Sequence, residues 1–181
     1  MGNARECRKT EKSKHTILVV EDNSPLRDVI YEILESRDFL VTTATSGDEA
    51  IRTLHTKRFD LMITDINLGK VNGIAVLKKA KELHPETMVI IMTGSLNVDY
   101  TTEAMRLGAN DYLFKPFGLN DFLERVSKCL EKVESMRGSK RSTMGNGASN
   151  DHTLNVSEIA SYEVRKSSVI KQGSKNCSKV F

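Results

Sequence analysis

Between residues 16 and 133 the apolar positions fall into two alternating spacings. Short runs rich in β-branched side chains predict strands: TILVV (16–20), FLVTTA (39–44), DLMIT (60–64), MVIIMT (88–93) and DYLF (111–114). The longer segments between them place apolar residues three or four apart and predict helices. Ser24 as N-cap, with Pro25 in the first turn, opens a helix to about Ser36. Ser46 and Glu49 have capping-box spacing for a helix to about His55. Further helices are expected over about 73–83, 97–107 and 119–133. In the last, Leu119, Phe122, Leu123, Val126, Leu130 and Val133 make one apolar stripe.

Five strands alternating with five helices predict a doubly wound α/β domain of flavodoxin-like topology, its five-stranded parallel sheet covered on both faces. The ligand crevice of such a sheet lies outside the carboxyl ends of the strands, where the strand order reverses. After Val133 the pattern fails. The chain therefore divides into a basic N-terminal arm (1–15), the domain (16–133), a flexible linker (134–153) and a short basic tail (154–181). The linker is rich in Ser, Gly, Asn and Thr. The tail, with its weakly apolar stretch LNVSEIASYEVRKSSVI, is expected to be partly helical or disordered.

Composition narrows the class without naming a function. Of 181 residues, 39% are apolar and 28% charged, enough to bury a core and remain soluble. No run of eighteen apolar residues offers a membrane span, and the N-terminus lacks the apolar stretch of a signal peptide. Met1-Gly2 resembles a myristoylation start, but Glu6 stands where Ser or Thr is required. Three distant cysteines (Cys7, Cys129, Cys177) argue against a disulfide framework and fit a reducing cytoplasm, the expected location. The four histidines (His15, His55, His84, His152) lack ligand spacing and read as surface residues. Net charge is +3, yet residues 16–133 carry 14 basic against 18 acidic side chains, so the positive charge sits at the ends.

Chemistry gathers at the predicted strand ends. Strand one ends in Glu21-Asp22, strand three in Asp65 and strand four in Thr93; strand five is followed by Lys115-Pro116. Taken singly, each has an ordinary explanation: a capping acid, a turn aspartate, a loop hydroxyl, a surface lysine. Together they put three carboxylates, a hydroxyl and an ammonium on one sheet edge. Crowded carboxylates repel, and a hard divalent cation such as Mg²⁺ relieves them while sharing a phosphate. Thr93 and Lys115 are expected across from the acids, facing phosphoryl oxygens. One carboxylate can itself be the nucleophile, giving an acyl phosphate.

This set resembles the receiver domain of bacterial two-component response regulators, the CheY-like (βα)5 superfamily, over roughly residues 15–133. LGANDYLFKPF (107–117) and Gly73, eight residues beyond Asp65, add to the likeness. The resemblance implies that Asp65 takes a phosphoryl group from a phosphohistidine on a histidine kinase or phosphotransfer protein. It implies Mg²⁺ held by Glu21, Asp22, Asp65 and the backbone carbonyl of Asn67, with Lys115 paired to the phosphoryl group and a cis bond to Pro116. Thr93 and Tyr112 become the switch pair, which remakes the helix 4–strand 5–helix 5 face for a protein target or a second copy. The chain would then be a signalling switch in a phosphorelay, assisting only its own phosphorylation and dephosphorylation. The usual Met-Pro after the phosphoacceptor is Leu68-Gly69 here, which is expected to loosen that loop. Asn67 and Ser95 occupy positions that tune acyl-phosphate lifetime.

Rival functions fare worse. A flavin site would need a hydroxyl- and Gly-rich loop where EDNSPLRD (21–28) stands, and no P-loop or G-x-G-x-x-G is present. The alternative is a DNA-binding regulator, since VSEIASYEVRKSSVIK faintly resembles a helix-turn-helix. That wording lacks a turn glycine, and residues 154–181 are few for a three-helix unit. Nucleic acid, membrane and an appended output enzyme are therefore not expected.

Overall fold

The computed structural model describes residues 14–94 and 98–142. Strands and helices alternate through them: β1 (Thr16–Val20), α1 (Ser24–Glu35), β2 (Leu40–Ala44), α2 (Gly47–Thr56), β3 (Leu61–Asp65), α3 (Gly73–Leu83), β4 (Met88–Thr93), α4 (Val98–Arg106), β5 (Asp111–Phe114) and α5 (Leu119–Ser142). All strand pairs are parallel, in the order β2-β1-β3-β4-β5. The expected doubly wound, flavodoxin-like sheet is therefore the observed one. Its order reverses at β1 and β3, which fixes the crevice at their carboxyl ends.

Alternation within each strand splits the core in two. Ile17, Ile63 and Ile90 face α1 and α5, meeting Leu34, Phe122 and Val126. Leu18, Met62 and Ile91 face α2, α3 and α4, meeting Leu54, Leu77 and Ala104. Every residue of β3 and β4 is buried. Each large aliphatic side chain so placed is worth roughly 1.5–3 kcal/mol, and that packing makes the ends of β3 and β4 a rigid platform.

Three local expectations are corrected. Asn23, one residue before Ser24, caps α1, its side chain accepting from the Leu26 amide at 3.0 Å. Ser46 caps α2, but Glu49 reaches back to Thr45, not Ser46, accepting from the Thr45 amide at 2.8 Å and hydroxyl at 2.7 Å. The third correction is larger. The helix expected to stop at Val133 continues to Ser142, so residues 134–142 of the expected linker are helical.

That overhang is fastened to the opposite edge of the sheet from the crevice. Asp60 accepts from the Thr16 amide at 3.0 Å and from Arg137 Nη2 at 2.6 Å. His15 sits between Asp60 (3.5 Å) and Glu134 (3.2 Å) with little exposure, so it is not the surface residue expected. His84 is also half-buried, against the Leu54 carbonyl. Higher on α5, Arg125 pairs with Asp111 and Asp121. Cys129 is a free thiol on the buried face of α5, its pKa pushed up to about 11 chiefly by burial. Among the described residues no helix is long and apolar enough to cross a membrane. Residues 1–13 of the expected arm, Ser95, residues 143–153 of the expected linker and the tail 154–181 lie outside the described residues.

Candidate functional site

Register brings the acids together before any side chain is considered. Val20 pairs with Thr64, so Glu21 and Asp65 leave neighbouring strands at the same level. One carboxylate oxygen from each of Glu21, Asp22 and Asp65 lies within 4.8 Å of the others. Glu21 is 1% exposed and Asp65 6%, whereas Asp22 is open to solvent.

Lys115 is closer to the acids than the sequence suggests. Its ammonium lies between two of them, 2.6 Å from Glu21 Oε2 and 2.7 Å from Asp65 Oδ2. Part of the carboxylate repulsion is thus relieved by the chain itself, not left to a cation alone. Burial raises the Glu21 pKa most, Lys115 pulls it back, and the net direction is upward. Burial disfavours the Lys115 ammonium, but its bonds to Asp65 and Glu21 outweigh this and raise its pKa. The bond from Lys115 to Pro116 is cis. Three carboxylates against one ammonium leave two negative charges, which a divalent cation would balance. Oxygen-only donors favour a hard ion such as Mg²⁺, so the residues present fit one.

The remaining candidates border this cluster. The Asn67 amide donates to Asp65 Oδ1 at 3.2 Å. Thr93, 1% exposed, ends β4, and its carbonyl accepts from the Lys115 amide at 2.7 Å. Tyr112 is turned into the core between β4 and α4. Burial raises its phenol pKa, against the pull of the Thr101 and Thr93 hydroxyls. The structure therefore brings Glu21, Asp22, Asp65 and Lys115 into one cluster, with Asn67 and Thr93 at its edge and Tyr112 behind Thr93.

Two glycines permit the close approach of loops to this cluster. A β-carbon on Gly73 would strike the Asp65 carbonyl, and one on Gly47 would strike the Val71 carbonyl. The start of α3 thus rests on the backbone of Asp65, and the start of α2 rests on the loop beyond it. Gly69 has φ +76°, which proline cannot adopt. Leu68 before it is buried, as is Asp65. Sequence reasoning missed Arg27, whose Nη1 donates to the Glu21 carbonyl at 2.9 Å. A basic residue in the first turn after an acid pair was the available signal.

A parallel doubly wound sheet whose carboxyl edge gathers three acids, a lysine and a buried threonine is the arrangement expected of a receiver domain. The profile of the response regulator receiver domain matches residues 17–127, and the chain belongs to that family. It is 30% identical over 169 residues to the transcriptional regulatory protein ZraR of Salmonella typhimurium, covering 90% of this chain and 38% of ZraR. It is 34% identical over 119 residues to the DNA-binding transcriptional regulator NtrC of Klebsiella pneumoniae, covering 66% of this chain and 25% of NtrC. The chain thus spans well under half of either relative. A CheY-like receiver domain protein from Methanospirillum hungatei superposes with TM-score 0.67 at 29% identity, over 68% of this chain and 99% of that one.

Proposed function

We propose that the chain is a phosphoacceptor switch: Asp65 takes a phosphoryl group from a phosphohistidine of a histidine kinase or histidine phosphotransfer protein. The observation that carries this reading is the Lys115 ammonium seated between Asp65 and Glu21, with Asp22 beside them. An Asp65 carboxylate oxygen attacks phosphorus, the phosphorus–nitrogen bond breaks, and the imidazole leaves with the electron pair of that bond. The product is an acyl phosphate on Asp65 and a free histidine on the donor. Lys115 already contacts Asp65 Oδ2 and is within reach of the incoming oxygens. The Asn67 amide holds Asp65 Oδ1, which keeps the carboxylate from rotating.

Glu21, Asp22, Asp65 and the Asn67 carbonyl would hold Mg²⁺, which when bound neutralises charge on the transferring group. Thr93 at the end of β4 supplies a hydroxyl to the phosphorylated state, and Tyr112 packs behind it. Their repacking would alter the α4–β5–α5 face for a downstream protein or a second copy. The chain assists only its own phosphorylation and dephosphorylation.

Acetyl phosphate with Mg²⁺ should add one phosphoryl group to the full chain, read by intact mass, and Asp65→Asn should remove it. Labelling that survives in the Asp65→Asn chain overturns the assignment. The likeness to ZraR and NtrC, both transcriptional regulators, favours a second, compatible reading, a transcriptional regulator that contacts DNA.

A further inference from the structure

We propose that Arg27 is a positioning residue for the acid pair, acting through the peptide that joins Glu21 to Asp22; this rests on the metal- and phosphoryl-binding reading above. Arg27 is the fourth residue of α1, and its guanidinium folds back over the start of its own helix. Nη1 donates to the Glu21 carbonyl at 2.9 Å and Nη2 to Ser24 Oγ at 3.0 Å. The side chain is only 14% exposed.

The Glu21 carbonyl belongs to the peptide plane whose other end is the Asp22 amide. On the other side of Glu21, its own amide donates to the Ala44 carbonyl at 3.1 Å. Both backbone groups of Glu21 are therefore held, one by β2 and one by Arg27. Its side chain is held separately by Lys115 and by the Asn23 amide. Asp22 has no such support: among the described residues no hydrogen bond or ion pair fixes its carboxylate. Its place beside Glu21 and Asp65 is set by the backbone, and Arg27 is the side chain that sets that backbone.

Arginine suits the task. Its planar fork reaches two acceptors at fixed angles, which a lysine ammonium on a flexible stem does not reproduce. Its hydrogen bonds go to a carbonyl and a hydroxyl, and its ion pair is with Asp28 at 3.9 Å, so it leaves the carboxylate oxygens of the acid pair open. The Arg27 charge is also felt by Glu49, whose carboxyl lies below its ordinary range mainly through its bonds to Thr45.

The test is a calorimetric Mg²⁺ titration of the full chain as wild type, Arg27→Met, Arg27→Lys, Asp22→Ala and the double variant Arg27→Met/Asp22→Ala. Methionine keeps the apolar stem and removes the donors, and thermal melts check the fold. Loss of a group that orients a ligand weakens metal binding by roughly tenfold or more, and that loss is expected for Arg27→Met with a near wild-type melt. Lysine, which returns one donor, should recover part of it. Because the effect runs through Asp22, the double variant should bind no more weakly than Asp22→Ala alone. Wild-type affinity in Arg27→Met, or losses that add in the double variant, would overturn the proposal. A wild-type chain that takes up no Mg²⁺ would overturn the reading beneath it as well.

Discussion

A β-carbon added to Gly73 would run into the Asp65 carbonyl, so the first turn of α3 lies as near to the end of β3 as two backbones can come. Alanine is the better helix former at an ordinary helical position, yet here it would push two backbones apart. Gly73→Ala should therefore destabilise the fold by about 1–3 kcal/mol, the usual cost of overpacking. Urea unfolding reads this directly, and an unchanged midpoint would refute it. The acids themselves were legible because strand ends can be read from apolar runs, and the topology then places those ends together. The Lys115 bridge was legible only in part. It joins residues 94 and 50 positions apart, and which oxygens an ammonium reaches depends on side-chain paths that spacing does not carry. Arg27 offered only its place in the first turn after the acid pair, since its partner is a backbone carbonyl that residue identity does not mark.

Among the elements, α5 departs furthest from its pattern. Its apolar stripe ends near Val133, and Glu134–Arg137 is followed by Gly138, which is unfavourable inside a helix by about 1 kcal/mol relative to alanine. Composition alone reads this as linker. The helix persists because Arg137 and Glu134 are gripped from outside it, by Asp60 and His15 at the start of the sheet. Asp60→Asn keeps the shape and removes the charge that holds Arg137. Hydrogen exchange in residues 134–142 should then speed up severalfold, with a loss of global stability of roughly 1 kcal/mol. Unchanged exchange there would show that the overhang stands without Asp60. The cap of α1 lies one residue earlier than expected for a simpler reason: Asn23 and Ser24 are both good caps, and only the geometry of the turn chooses between them.

At the scale of the whole chain, the architecture was readable because parallel strands buried on both faces leave unbroken apolar runs separated by helix-length segments. What those runs cannot disclose is the role of residues beyond α5. The named functions of ZraR and NtrC belong to much longer proteins. Residues 154–181 carry five basic and two acidic side chains, thinly spread. The full chain and a chain ending at Ser142 should bind duplex DNA equally weakly with the same salt slope. A steeper slope for the full chain would establish DNA contacts by the tail. Ending the shorter chain at Ser142 matters, because an earlier stop would cut through α5 and remove Arg137 from Asp60.

The seat of Lys115 has one more consequence. A pocket of like charges without compensation would be a cocked spring, waiting for an ion from solution to make it tolerable. Here the polypeptide supplies one counter-ion of its own, so the resting pocket is partly compensated and a divalent ion from solution would complete the balance. What arrives at the rim therefore meets acids already braced from within.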